Sequence, residues 1–254
     1  MVRLEDVVVY QSVLDSIFTQ DKDRGSILAE VASFFLEADY QASPLEVGEE
    51  EVLTINLRAF DCFTFVEQCL GIALILTDFR RSWEDYSSIV RRLRYRDGRV
   101  EYPARFHYFS DWLNYHVANG LIRNVTTALG GVPYRKQISY LTTHIDLYPR
   151  LRDQAIFDRI RSVEEELGKS LGDHLPLHAV EQAVSSLKEG DIIAFTTDTE
   201  GLDVSHVGIF AKNKEEEAFL IHASREKGKV VKSPFLEYVK HLPGVSGIVV
   251  GRLA

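Results

Sequence analysis

Two cysteines, one methionine and seven prolines in 254 residues rule out several architectures at once. Two cysteines make no disulfide framework. Cys62 and Cys69 fall about two helical turns apart on one stretch, roughly 10 Å, too far to bridge. No apolar run approaches the ~20 residues of a membrane-spanning helix, since the longest extends only from Cys69 to Leu76. Glycine-rich phosphate loops, internal repeats and low-complexity segments are all lacking. Basic residues are in deficit, 29 Lys and Arg against 38 Asp and Glu, for a net charge of −9. Polyanions want a basic face, so neither nucleic acid nor an anionic membrane is expected as the main partner. Met1-Val2-Arg3-Leu4-Glu5-Asp6 turns acidic with no apolar core or cleavage site, so no signal peptide is visible. Either the protein is cytoplasmic, or a leader lies outside this sequence.

What is present is ample core material, 45% apolar and 11% aromatic. Helical spacing marks residues 4–18, 26–38 with Ser26 as cap, and about 82–95 with Gly98 as stop. It also marks a short helix after Ser110, then 137–148, 154–168 and 177–187. Val52 to Leu57 reads as a short strand. At Gly190-Asp191 the period changes from 3.6 to 2, and Asp191–Thr197, Val204–Lys212, Ala218–Ser224, Lys229–Ser233 and Ser246–Arg252 read as strands. Helices first and a meandering antiparallel sheet after them make an α+β order. We expect one catalytic domain over 1–254, with a helical part to about 187 and a sheet part from about 190.

The stretch from Asp61 to Leu76 is the centre of the chain. Phe65, Val66, Cys69, Leu70, Ala73 and Leu76 recur at three- and four-residue steps, the period of a buried helix. Asp61 stands where an N-cap belongs, which puts Cys62 at the first helical position. There the helix dipole can lower a thiol pKa from about 8.5 into the range of roughly 3.5–7.5. The alternative is a small buried hydrophobe like Cys69. Glu67, roughly 140° around the helix from Cys62, reads as a structural hydrogen-bonder.

The sheet supplies a partner for the thiol. In Val204–Phe210 and Phe219–Ser224, strand alternation turns His206 and His222 to one face. A hairpin symmetric about Lys214 pairs them directly, with Cβ atoms roughly 4.5–5.5 Å apart. Two imidazoles side by side suit a base and its orienter for a cysteine nucleophile. A zinc site of one Cys and two His is chemically sensible, but the usual close-spaced ligand pairs are missing, and no metal or cofactor is expected. His107, His116, His144, His174, His178 and His241 read as satisfied or exposed residues.

With these residues together, the chain resembles the NlpC-type cysteine peptidoglycan hydrolases, whose core is papain-like: a cysteine-bearing helix on an antiparallel sheet that carries a histidine and a third polar residue. It is most similar to the N-acetylmuramoyl-L-alanine amidase-like branch. The match is carried by Asp61–Glu67, Arg105–Trp112, Gly190–Ala194 and Gly201–Gly208. The resemblance implies metal-free hydrolysis of the amide joining muramic acid to L-alanine, with Cys62 as nucleophile, His206 as base and His222 as the orienting residue. Arg105, Tyr108, Asp111, Asp203 and Ser205 are the candidate substrate contacts; the alternative for them is a buried polar network joining the helical part to the sheet. Muropeptides are the implied partners, and a periplasmic or cell-envelope location is implied as well. A γ-D-glutamyl stem-peptide endopeptidase and a non-catalytic muropeptide-binding module stay open. A thiolate–imidazolium pair, or its proton-shared equivalent, would give a bell-shaped pH profile within about pH 5–9, between the ordinary His and Cys values.

Overall fold

Apolar periodicity sets the order of the elements. A computed structural model describes residues 3–78, 80–169 and 171–254. Helices α1 (Leu4–Ser16) and α2 (Arg24–Phe34) precede two short strands, β1 (Asp39–Tyr40) and β2 (Ala59–Phe60). Next come α3 (Cys62–Leu76), α4 (Trp83–Arg94), α5 (Phe109–Ala118), β3 (Ile122–Asn124) and β4 (Val132–Pro133). The chain continues through α6 (Tyr140–Thr143), α7 (Gln154–Lys169), β5 (Asp173–Pro176) and α8 (Leu177–Ala183). It ends with β6 (Ile192–Thr197), β7 (Val204–Lys212), β8 (Ala218–Ser224), β9 (Lys229–Pro234), α9 (Phe235–His241) and β10 (Val245–Leu253).

Most long elements fall where the periodicity puts them, and the local departures have physical causes. Asp23, not Ser26, caps α2: its carboxylate accepts from the Ser26 amide at 2.7 Å. Ser110 is not the cap of α5, because its own amide donates to Asp203, 93 residues away in sequence, at 2.7 Å. Residues 51–56 do not form the expected strand. The Thr54 carbonyl accepts from Arg94, the Asn56 carbonyl accepts from Gln68 at 3.1 Å, and the Leu57 amide donates to Asp6 at 3.0 Å. Side chains meet the hydrogen-bonding needs that a strand neighbour would otherwise serve.

The fold is α+β, but its sheet is mixed and draws strands from the whole chain. The order is β2-β1-β9-β8-β7-β6-β10-β5-β4, with β3 also on β10. β1 and β2 are parallel, and the other pairs are antiparallel. A clean division into helices and then sheet therefore fails. Both faces of the sheet are covered. Val207, Ile209, Ile221 and Ala223 join the core built on α2 and α3. Phe195, Phe210, Leu220 and Ile248 join a second core under α8 and α9. A third cluster gathers Tyr102, Tyr108, Leu141 and Ile160 beside α7.

Helix α3 is apolar around most of its circumference, as a central helix must be. Every residue from Thr64 to Ala73 is buried. At ~1.5–3 kcal/mol for each fully buried large apolar side chain, its packing is a principal source of stability. Its one buried carboxylate, Glu67, pairs with the equally buried Arg94 at 2.9 Å. Among the described residues, no helix is long and apolar enough to cross a membrane.

Candidate active site

The tip of α3 is built by its cap. The Asp61 carboxylate accepts from the Thr64 amide at 2.8 Å, and the Thr64 hydroxyl accepts from the Asp61 amide at 3.1 Å. This capping box fixes the first turn and presents Cys62, which is only partly buried, at its start. Cys69, two turns on, is sealed. Both thiols are free.

The β7–β8 ladder pairs Ile209 with Ile221 and Lys212 with Ala218, which centres the hairpin on Glu215 rather than Lys214. His222 therefore lies opposite Gly208, and His206 sits on the diagonal. The displacement preserves strand parity, so both histidines keep one face. Gly208 permits this approach: a Cβ there would come within 2.9 Å of the Leu220 side chain and 3.0 Å of the His222 Cβ. A bulge helps aim His206, since Phe195 pairs with His206 while Thr196 pairs with Val204, leaving Ser205 extra and exposed. The ring nitrogens His206 Nε2 and His222 Nδ1 lie 2.8 Å apart, with ring planes at 87°. His222 Nε2 lies 3.2 Å from the Ser233 hydroxyl on β9.

Cys62 meets this pair through its neighbours. The backbone amide of Val207, next to His206, points at the sulfur, as do the amides of Cys62 and Phe63. Tyr238 on α9 packs over both imidazoles, 4.5 Å from the His222 ring and 5.9 Å from the His206 ring. Burial and then the charge of Cys62 raise the Tyr238 phenol. Tyr40 on β1 is raised by burial, then by Cys62 and Asp61.

The electrostatics correct an expectation. Burial and then the Asp61 carboxylate push the Cys62 thiol up to about 12, against the three amides that favour the thiolate. Burial and then the charge of His222 bring His206 down to about 3; burial brings His222 down to about 4. Burial thus favours the neutral thiol and the neutral imidazoles over their charged forms.

Four of the five expected substrate contacts are engaged within the chain. Buried Arg105 pairs with Glu46 and, at 3.3 Å, with Glu51, and donates to the Leu45 carbonyl at 2.9 Å. Tyr108 donates to Glu164 at 2.6 Å and accepts from the Leu141 amide at 2.9 Å. Asp111 pairs with Arg96 at 2.6 Å. Asp203 accepts from the Ser110 and Val204 amides, at 2.7 and 2.8 Å, which ties α5 to the start of β7. Ser205 alone is exposed. Sequence reasoning missed Ser233, Tyr238 and Tyr40. Parity across β8 and β9 could have found Ser233, because the strand from Lys229 to Ser233 was legible.

A family model described as N-acetylmuramoyl-L-alanine amidase-like matches residues 30–247. The chain belongs to this family. It is an enzyme family of amidase-like peptidoglycan hydrolases. Among solved structures, the chain is similar to an N-acetylmuramoyl-L-alanine amidase from Bacteroides uniformis at 33% identity, over 91% of this chain and 99% of that one, with a TM-score of 0.83. It is also similar to a Bacteroides fragilis protein provisionally named a xylanase, at 36% identity over 89% and 100% of the two chains, TM-score 0.81. A Legionella pneumophila protein, LPG0564, shares the fold at 20% identity over 98% and 94%, TM-score 0.74. No curated protein matches the chain significantly.

Proposed function

We propose that this protein hydrolyses the amide between N-acetylmuramic acid and L-alanine in peptidoglycan fragments, with Cys62 as nucleophile, His206 as general base and acid, and His222 as the residue that orients His206. The observation that carries the reading is the hydrogen-bonded His206–His222 pair beside Val207, whose amide faces the Cys62 sulfur. The family supplies the substrate class. In this reading the α3–β7–β8 unit is a papain-like core of the NlpC type.

The chemistry starts from neutral groups. As Cys62 Sγ attacks the carbonyl carbon of the lactyl group, its proton passes to the unprotonated nitrogen of His206. The amides of Cys62, Phe63 and Val207 face Sγ and favour the negative charge it gains as its proton leaves. His206 returns the proton to the departing amine of L-alanine as the C–N bond breaks, leaving a thioester. Water then gives a proton to His206 and adds to the thioester carbonyl; the sulfur leaves and recovers that proton. Ser205 is our assignment for a direct substrate contact. Arg105, Tyr108, Asp111 and Asp203, engaged with other residues of the chain, act as structural residues.

Incubation with a muramoyl peptide that carries the full stem, followed by mass spectrometry, should release the intact stem peptide with a free L-alanine amine. Cleavage deeper in the stem would identify a γ-D-glutamyl endopeptidase instead. Undiminished cleavage by Cys62→Ala would exclude the mechanism. Binding without turnover would leave a muropeptide-binding module.

A further inference from the structure

One polar contact at the site has no part in that chemistry. His222 Nε2, on a side chain 1% exposed, meets the half-buried Ser233 hydroxyl at 3.2 Å. We infer that Ser233 is a positioning residue of the proposed active site: as the acceptor for His222, it fixes the tautomers of both imidazoles and leaves Nδ1 of His206 as the base nitrogen. The inference rests on the cysteine mechanism above.

A neutral imidazole carries one N–H donor and one acceptor nitrogen. The two contacts of His222 therefore allow two arrangements. In the first, His206 Nε2–H donates to His222 Nδ1, and His222 Nε2–H donates to Ser233 Oγ. His206 Nδ1 then keeps its lone pair and can take the thiol proton. In the second, Ser233 donates to His222 Nε2, and His222 Nδ1–H donates to His206 Nε2. His206 Nδ1 then carries the hydrogen, and no base is available to the thiol.

Ser233 favours the first arrangement because it is half-buried, so its own hydroxyl hydrogen can turn outward while a lone pair faces His222. Its place is set by β9, where Ser233 pairs with Leu220 and so shares the face of His222. Without that oxygen, a buried His222 Nε2–H would be left unpaired. Such an orphan costs more than a normal hydrogen bond contributes. The histidine pair would shift toward the second arrangement, and the fraction of molecules with a free base nitrogen would fall although both rings stay in place.

Nitrogen-15 NMR of the imidazoles in the whole protein tests this directly. In the wild type, His222 should carry its hydrogen on Nε2, and His206 should have an unprotonated Nδ1. Ser233→Ala should move the His222 hydrogen to Nδ1 and lower kcat by about 10-fold, the size of one well-placed hydrogen bond, with KM unchanged. Ser233→Thr should restore both readouts. A wild-type spectrum with His222 protonated on Nδ1 overturns the inference, and this needs no variant to fold. So does a Ser233→Ala enzyme with wild-type kcat and spectrum. If Cys62→Ala is inactive while Ser233→Ala matches wild type, only the role of Ser233 fails. If Cys62→Ala is active, the mechanism fails and the role of Ser233 with it.

Discussion

Cys62 and Cys69 share a helix, a residue type and a raised pKa, yet they occupy opposite environments. Cys69 is raised well above its usual value by burial alone, deep among apolar neighbours. Cys62 is raised by burial and Asp61, and three backbone amides pull the other way. One thiol is packing. The other is poised, with donors already aimed at the charge it would acquire. The lesson is that a helix tip and a helix middle differ less in resting pKa than in what surrounds the ionised form.

The sharpest way to break this comparison is to remove each sulfur in turn. Cys62→Ala should lower amidase turnover by at least about 10³-fold, the scale of losing a nucleophile, with the melting temperature little changed. Cys69→Ala should do the reverse, keeping turnover and losing ~1–2 kcal/mol through the small cavity it leaves. Equal loss of activity in both, measured on the same muramoyl peptide, would remove the distinction. The middle of the helix has a larger structural dependence than either sulfur. Glu67→Ala would leave Arg94 buried without its carboxylate, which costs about 3–5 kcal/mol. For a domain of this size that is roughly a 10 °C fall in melting temperature by calorimetry. A fall of only a degree or two would mean that the pair is not the buried strut its geometry describes.

Much of this arrangement is legible in the sequence, and the rest is hidden for definite reasons. The tip of α3 could be read because its cap is local: Asp61 and Thr64 lie three residues apart. The β7 and β8 boundaries match the alternation of their residues. The hairpin centre is ambiguous in the sequence because the loop holds three consecutive glutamates, which are equivalent to a pairing argument. The shallow strands β1 and β2 have no periodicity to detect. Ser110 seemed a cap because its true partner, Asp203, is remote in sequence. The same remoteness conceals the partners of Arg105 and Tyr108. Alternation named the histidines, but only the second core, under α8 and α9, explains why their pKa values fall.

Acid separates the two arms of the site. Folded His206 and His222 hold protons only near pH 3 and 4, whereas the unfolded reference is 6.5. Below 6.5 the unfolded chain binds protons that the folded site refuses. The stability tied to the neutral pair is thus present above pH 6.5 and is lost as pH falls toward 4. His222→Asn should reduce the drop in melting temperature between pH 7 and pH 5. Turnover follows the same logic: kcat/KM should vary little from about pH 5 to 9, because the limbs set by His206 and Cys62 lie outside that interval. An alkaline limb between the ordinary histidine and cysteine values, where an imidazolium would lose its proton, would instead favour a resting thiolate–imidazolium pair.

The smallest effect tests the tip of α3 by itself. Asn caps a helix about as well as Asp, so Asp61→Asn should preserve the first turn while removing the charge that helps hold the Cys62 thiol up. With less negative charge nearby, the thiolate costs less, the pKa falls, and alkylation speeds up. At pH 8, iodoacetamide should label Cys62 a few-fold faster in this variant than in wild type, and Cys69 should stay unlabelled in both. Mass spectrometry of the two cysteine peptides reads both rates in one sample. Faster labelling at Cys69 would show that the helix had opened. No change at Cys62 would mean that Asp61 contributes only as a cap, leaving burial alone to hold the two thiols in their resting state and the amides to tell them apart.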